Sequence, residues 1–225
     1  MFVLERLIGV IAPHYCLACG GEGDLVCNNC ASAVAIPLPS RCYVCKATTD
    51  DFVVCDRCRV KSHLRHVWIS AQYSGLAKQL VQVYKFERGQ EGAKFISKSM
   101  ANVLPLINQR AILVPIPTAT SRQRVRGYDH TKLLAKEVSE LTGLPYESML
   151  GRLGQSRQVG TNRRDRLTQL SSAFYIKHPE RVRGESIILV DDIVTTGGTL
   201  ESIAKILKQA GAKSVNAIIF AQKNG

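Results

Sequence analysis

Two kinds of chemistry are written into this sequence at recognisable spacings, and the first is thiolate chemistry. Eight cysteines fall within the first 58 residues as four C-x-x-C pairs, Cys16/Cys19, Cys27/Cys30, Cys42/Cys45 and Cys55/Cys58, with none left over. Two thiolates separated by two residues reach one tetrahedral ion from a tight turn, so two pairs close a structural Zn2+ site with no open position. Four pairs make two sites. The short spacing within each half suggests sequential pairing, Cys16, Cys19, Cys27 and Cys30 on one ion and Cys42, Cys45, Cys55 and Cys58 on the other. An interleaved cross-brace would use the same ligands. Disulfides are the competing chemistry, but nothing signals secretion, and a thioredoxin-type redox motif is a single pair near a βαβ unit. His63 and His66 follow the last cysteine, yet eight thiols already satisfy two ions, which favours reading them as surface histidines.

The second kind is anion chemistry. An apolar run, Ile187-Ile188-Leu189-Val190, ends in Asp191-Asp192 and continues as Ile193-Val194-Thr195-Thr196-Gly197-Gly198-Thr199-Leu200 into a helical pattern. Thr195 to Thr199 place backbone N–H groups and hydroxyls at a helix N-terminus, where unpaired donors and the helix dipole favour a phosphate. Gly197 and Gly198 let the backbone approach that anion with no Cβ in the way. Asp191 and Asp192 precede the cradle by about the width of a sugar, where carboxylates accept from ribose hydroxyls directly or through Mg2+. The bland alternative is an N-capped helix with solvated acids, a far commoner pattern than paired acids followed by Thr-Thr-Gly-Gly-Thr.

A third segment adds positive charge. After the apolar run Ala111 to Pro115 comes a stretch holding Arg122, Arg124 and Arg126, read as a loop suited to pyrophosphate because planar guanidinium groups take phosphate oxygens bidentately. A solvated basic turn would carry Arg122 and Arg124 equally well. His130 is the candidate general base, although a lone histidine beside a helix start is more often structural.

These residues need a frame, and the apolar periodicity supplies one. Val67 to Tyr73, Ala111 to Pro115, Ala173 to Ile176, Ser186 to Asp191 and Val215 to Ala221 read as strands. Ala77 to Tyr84, Ala93 to Leu106, Thr131 to Leu141 and Thr199 to Ala210 read as helices, the last two closed by Gly143 and Gly211. The alternation predicts an α/β fold with a mostly parallel sheet covered on both faces, in which ligands bind beyond the carboxyl ends of the strands. Phe2, Val3, Leu4, Leu7, Ile8 and Ile11 give an amphipathic N-terminal helix over residues 1–15. The double zinc ribbon is expected over 16–60, its halves separated by Ile36-Pro37-Leu38-Pro39, and the α/β domain over 67–225. A ribbon this small cannot bury enough apolar surface to fold alone, so metal supplies its stability.

Composition bounds the rest. With 45% apolar and 21% charged residues in 225, the chain has the make-up of an ordinary globular protein, and no apolar run approaches a membrane span. Glu5 and Arg6 interrupt the N-terminus where a signal peptide would be greasy, and the expectation is a cytoplasmic protein. The formal charge of +12 favours polyanions, and it falls only to about +8 if eight thiolates hold two zinc ions. Lys and Arg nearly balance Asp and Glu in the cysteine block, so the basic surface lies in the remainder.

The Asp191–Leu200 segment resembles the phosphoribosyl-pyrophosphate (PRPP) loop of type I phosphoribosyltransferases. That resemblance implies Asp191 and Asp192 on the ribose hydroxyls as the catalytic pair, Thr195, Thr196, Gly197, Gly198 and Thr199 on the 5′-phosphate, and Mg2+ accompanying PRPP. The whole chain resembles the ComF family, which joins a double zinc ribbon to a phosphoribosyltransferase domain. Besides the cysteine pairs and the loop, the likeness includes Tyr73-Ser74-Gly75, Lys85-Phe86, Pro115-Ile116-Pro117, Arg126-Gly127-Tyr128, Gln158-Val159-Gly160, Arg163, Arg166 and Ala173-Phe174. Asp129 and His130 stand where the family usually shows Asn and Gln, and Thr161 and Gln169 where it commonly shows Leu and Asn. The resemblance implies a role in natural competence, with single-stranded DNA as a partner.

Three readings follow. The leading one is a PRPP-binding protein of the ComF type, acting in DNA uptake, in which any turnover would expel pyrophosphate toward Arg122, Arg124 and Arg126. The second is a non-enzymatic nucleic-acid-binding module, and the third a nucleobase-salvage phosphoribosyltransferase. The arginine- and glycine-rich stretch Arg152 to Arg166 fits a hood over substrate, an arm on phosphodiester backbones, or a solvated loop. The N-terminal helix could pack on the body or dock a helicase-like or translocation partner.

Overall fold

The computed structural model describes residues 14–34, 38–86, 89–105, 111–153 and 173–223, without side-chain detail at 89 and 90. The N-terminal amphipathic stretch, the Ile36-Pro37 part of the linker and all but the start of the Arg152 to Arg166 segment lie outside these residues. In chain order the strands are β1 (Val67–Gln72), β2 (Ala111–Pro115), β3 (Leu150–Arg152), β4 (Phe174–Ile176), β5 (Ser186–Val194) and β6 (Ser214–Gln222). The longer helices are α1 (Gly75–Phe86), α2 (Gly89–Val103), α3 (Thr120–Arg126), α4 (His130–Thr142) and α5 (Gly198–Gln209).

A four-stranded sheet of order β1-β6-β5-β2, parallel throughout, forms the centre. All four carboxyl ends therefore share one edge, and both segments singled out for anion chemistry leave the sheet there. Alternation along the strands sorts side chains to two faces. Val67, Ile69, Val114, Ile187, Leu189, Val215, Ala217 and Ile219 face α5, whose Leu200, Ile203, Ala204 and Leu207 repeat at helical spacing. Trp68, Leu113, Ile188, Val190, Ile218 and Phe220 face α1, α2 and α4. This confirms the α/β architecture that the periodicity implies.

The cysteine-bearing segment is built into this body. Its second half contributes Cys42, Tyr43, Val54 and Leu64 to the α5 face, and its first half contributes Val26 and Val34 to the other. Backbone bonds tie it in as well: Val54 N–H donates to Arg65 (2.8 Å), Val67 N–H to Phe52 (3.1 Å), and Ala217 N–H to His66 (2.9 Å).

Besides shifting α2 to Gly89–Val103 from the expected Ala93 to Leu106, the structure departs from the periodicity in three places. Phe174–Ile176 does not join the parallel sheet; it pairs antiparallel with β3 in a separate two-stranded sheet. A three-residue run gives periodicity too little to distinguish the two pairings. The arginine segment, expected as a loop, forms α3, which Gly127 closes at φ +79°. Ser121 to Arg126 lacks Gly and Pro, and the terminating glycine is the C-cap signal that the loop reading overlooked. Finally, β5 runs past Asp191 to Val194, because β6 is long enough to pair Ile193 with Ala221 and Val194 with Gln222.

Candidate functional site

At the carboxyl end of β5 the chain turns through Thr195, Thr196 and Gly197 into α5. Gly197, at φ +81°, adopts the left-handed conformation that glycine tolerates, and a Cβ there would lie 2.5 Å from the Tyr43 ring. That glycine is required by the fold. Gly198 differs: its φ is not positive, and a Cβ would meet only Thr196 Oγ1, at 3.8 Å. Packing therefore does not demand glycine at 198, and the vacant space lies at the N-terminus of α5, beside the exposed Thr195, Thr196 and Thr199. Replacement by alanine gives a clean prediction. Gly198→Ala should leave thermal stability unchanged or raised by up to about 1 kcal/mol while weakening binding of a sugar phosphate at least about tenfold, as read by melting and calorimetric titration.

The two aspartates differ sharply. Asp192 is buried, at 3% exposure, and its carboxylate is paired with the Lys85 ammonium from the last turn of α1. Its other oxygen lies 3.5 Å from His130 Nε2. Burial disfavours the Asp192 charge, but the His130 hydrogen bond and the Lys85 charge outweigh it and hold the carboxyl below the usual aspartate range. Asp191, half-buried, accepts the Asp192 N–H at 2.9 Å. Burial, and then the Asp192 charge, push its carboxyl well above the ordinary value. Asp191, Asp192 and His130 each offer one donor atom, all within 4.8 Å of one another. Two hard carboxylate oxygens in that set suit Mg2+, which characteristically takes one or two carboxylates and completes its shell with water and ligand phosphates.

His130 is held from both sides. Arg126 donates from Nη1 to its Nδ1 at 3.0 Å, so the ring proton sits on Nε2 and faces Asp192. Asp129 caps α4 and accepts from Gln123 Nε2 (2.8 Å) and the Thr131 hydroxyl (2.9 Å). The Tyr84 hydroxyl donates to the His130 carbonyl and the Tyr128 hydroxyl to the Tyr84 carbonyl, locking α1 to the start of α4. Neither imidazole nitrogen is left to take a proton from an incoming nucleophile.

A cavity of about 520 Å³ opens between α1 and α3, its walls including Tyr73, Gln82, Lys85, Phe86, Arg122 and Arg126. Arg122 and Arg126 stand one helical turn apart and share a face; Arg124 falls away from it and does not line the cavity. The Arg126 guanidinium lies 5.0 Å from the centre of the Phe86 ring, which is itself largely exposed. Of the three arginines that sequence treats alike, the structure brings two to the cavity that Lys85, the partner of Asp192, also lines.

The eight cysteines form two four-sulfur clusters, Cys16/Cys19/Cys27/Cys30 and Cys42/Cys45/Cys55/Cys58, each with its sulfurs within 4.8 Å of one another. No disulfide joins any of them. The Cys19–Cys27 and Cys45–Cys55 separations are 3.9 and 3.5 Å, close to the ~3.8 Å edge of a tetrahedron with zinc–sulfur bonds of about 2.3 Å. Either cluster could hold a zinc ion, with sequential pairing of the knuckles. Within each cluster the thiols differ: the Cys27 N–H, 3.5 Å away, helps bring Cys16 down to about 6 and the Ala47 N–H helps bring Cys45 to about 7, while hydrogen bonding to the neighbouring Cys27 sulfur pushes Cys30 up to about 12 and burial pushes Cys58 up to about 12. His63 and His66 serve elsewhere, His63 on Glu201 and His66 on the Asp51 carbonyl and stacked on Trp68.

Sequence reasoning assigned no role to Lys85, Tyr43 or Glu201. Lys85 enters the sequence reading only within the Lys85-Phe86 pair of the family likeness, and its contact with Asp192 spans two elements that no local pattern links.

Comparison with known proteins supplies a separate line of evidence. Residues 133–225 match the family described as Phosphoribosyl transferase domain. The sheet also takes β1 and β2 from before that stretch. The chain is 25% identical over 221 residues to competence protein F of Haemophilus influenzae, a match covering 84% of this chain and 93% of that one. It is 26% identical over 218 residues to DNA utilization protein YhgH of Escherichia coli, with coverage of 84% and 93%. To competence protein ComFC of Streptococcus pneumoniae it is 27% identical over 189 residues, covering 84% and 78%.

Proposed function

Starting from a chain homologous to competence and DNA-utilization proteins and matching the phosphoribosyl transferase domain, we propose a PRPP-binding protein of the ComF type that handles incoming single-stranded DNA. The observation that carries the proposal is the open cradle at Gly198, next to paired carboxylates, on the edge of a parallel sheet where ligands bind. In this reading Thr195 to Thr199 take the 5′-phosphate and Asp191 and Asp192 the ribose hydroxyls. Bound Mg2+ would neutralise pyrophosphate charge, with Asp191 and Asp192 the residues to hold it. Arg122 and Arg126 receive the pyrophosphate end in the cavity beside Lys85, with Arg124 outside the contact. Two zinc ions, one in each cysteine cluster, complete the protein.

The double engagement of His130 favours binding over turnover, because among the described residues no free base stands beside the aspartates. The same cavity supports a role for DNA: Arg122 and Arg126 would take a backbone phosphate, and the exposed Phe86, one face of which carries the Arg126 guanidinium, would offer its other face to a base. Such binding falls steeply with salt. Calorimetric titration tests the ligand. Asp191→Ala should abolish Mg2+-dependent PRPP binding with the fold intact, Arg126→Ala should weaken it about tenfold or more, and Arg124→Ala by less than about twofold. Equal losses at Arg124 and Arg126 would remove the pyrophosphate from this cavity. Single-stranded binding that persists in Asp191→Ala would point to a nucleic-acid module independent of PRPP.

A further inference from the structure

The second cysteine cluster touches the phosphate cradle through one residue. Tyr43 lies between Cys42 and Cys45 in the knuckle and is only 3% exposed. Its ring lies so close to Gly197 that a Cβ there would come within 2.5 Å of it. Its hydroxyl donates to Glu201, in the first turn of α5. Its carbonyl accepts from Gln222 Nε2 at 3.0 Å, at the end of β6, and from Lys46 Nζ at 2.9 Å.

The other knuckle of the same cluster reaches the same carboxylate. Ser62 donates its amide to the Cys58 carbonyl at 3.1 Å and its hydroxyl to Glu201, and the His63 amide donates to Glu201 Oε2 at 2.9 Å. An ion drawing the four sulfurs together would fix both arms at once. Those arms set two properties of the cradle. The Tyr43 ring supports Gly197 in its left-handed conformation, and the donors satisfy a carboxylate that would otherwise stand free one helical turn from a bound phosphate. Of the buried side chains in the first cluster's segment, Val26 and Val34 pack on the opposite face of the sheet.

We propose that the second cysteine cluster, through Tyr43 and Glu201, holds the phosphate cradle in its binding shape, so that metal occupancy of that cluster sets the cradle's affinity for PRPP. The affinity arm rests on the PRPP reading; the mechanical coupling does not. Tyr43 acts as a positioning residue, and its effect is visible without any ligand.

Hydrogen–deuterium exchange over residues 195–201 of the full chain tests it, alongside zinc content and PRPP titration. In Tyr43→Ala, zinc content stays at the wild-type value, exchange over 195–201 speeds at least about tenfold, and PRPP affinity falls by a similar factor. Tyr43→Phe keeps the ring on Gly197 and loses the hydroxyl bond, and falls between. Wild-type protein stripped of zinc loses the same protection and regains it on refilling. Unaltered exchange in both Tyr43→Ala and stripped wild-type protein would overturn the coupling. Should wild-type protein fail to bind PRPP at all, the ligand reading fails, and the exchange measurement still decides the coupling.

Discussion

Chelating the metal from both cysteine clusters should lower the melting temperature by at least about 10 °C, with recovery on zinc addition. Cys42, Tyr43, Val54 and Leu64 are buried in the same cluster as Leu200, Ile203 and Leu207 of α5, so the second half of the cysteine-bearing segment shares its core with the α/β body. Four such side chains, at roughly 1.5–3 kcal/mol each, set the scale of what is lost when the knuckles open. For a chain of this length about 1 kcal/mol moves the midpoint by roughly 2–4 °C. The damage should spread to the α/β body, because one apolar face of the sheet is uncovered. Circular dichroism melts with and without chelator, with metal content measured on the same samples, give the answer. An unchanged midpoint after verified metal loss would show that the knuckles are held by packing alone.

Lys85→Met should be the most damaging single substitution at the site, at about 3–5 kcal/mol, because it strips the buried Asp192 carboxylate of its ammonium partner. Adding Asp192→Asn should recover most of the loss. The pH dependence follows from the direction of the Asp192 shift. A carboxyl held below its ordinary value contributes stability that is present above about pH 4, the unfolded value, and lost as pH falls through the lower folded value. The gap between wild-type protein and Lys85→Met is therefore full at neutral pH and closes in acid. Asp191, shifted upward, has the opposite sign, its contribution fading as pH rises through its folded value. The Lys85 charge also draws Asp191 downward, so its loss raises that carboxyl further and widens the neutral-pH gap in the same direction. Denaturant melts of the two proteins at neutral pH and near pH 3 read the gap directly.

The elements that position the site were legible wherever the periodicity ran long. β2 begins and ends where its apolar run does, and α4 and α5 fall within a residue or so of their glycine and capping signals. The cysteine spacing likewise identifies the two clusters and their sequential grouping. The fate of the arginine segment was harder to read, because α3 is only seven residues long and expectation followed the chemistry of its arginines rather than their helical spacing. That spacing separates Arg124 from Arg122 and Arg126. Contacts between distant segments left no local trace. Lys85 on Asp192 joins a helix terminus to a strand end, and Tyr43 on Gly197 joins a metal knuckle to a glycine turn; Asp192 and Gly197 stand out in the sequence, but nothing local pairs them with Lys85 and Tyr43.

The central claim is that the turn between β5 and α5 is shaped for a sugar phosphate. A crystal of the zinc-loaded protein soaked with PRPP and Mg2+ tests it most directly. The expected density puts the 5′-phosphate on the backbone amides of residues 195–199, in the space left by Gly198, with the ribose hydroxyls at Asp191 and Asp192. Ligand bound elsewhere, with the turn closed by its own side chains, would contradict it.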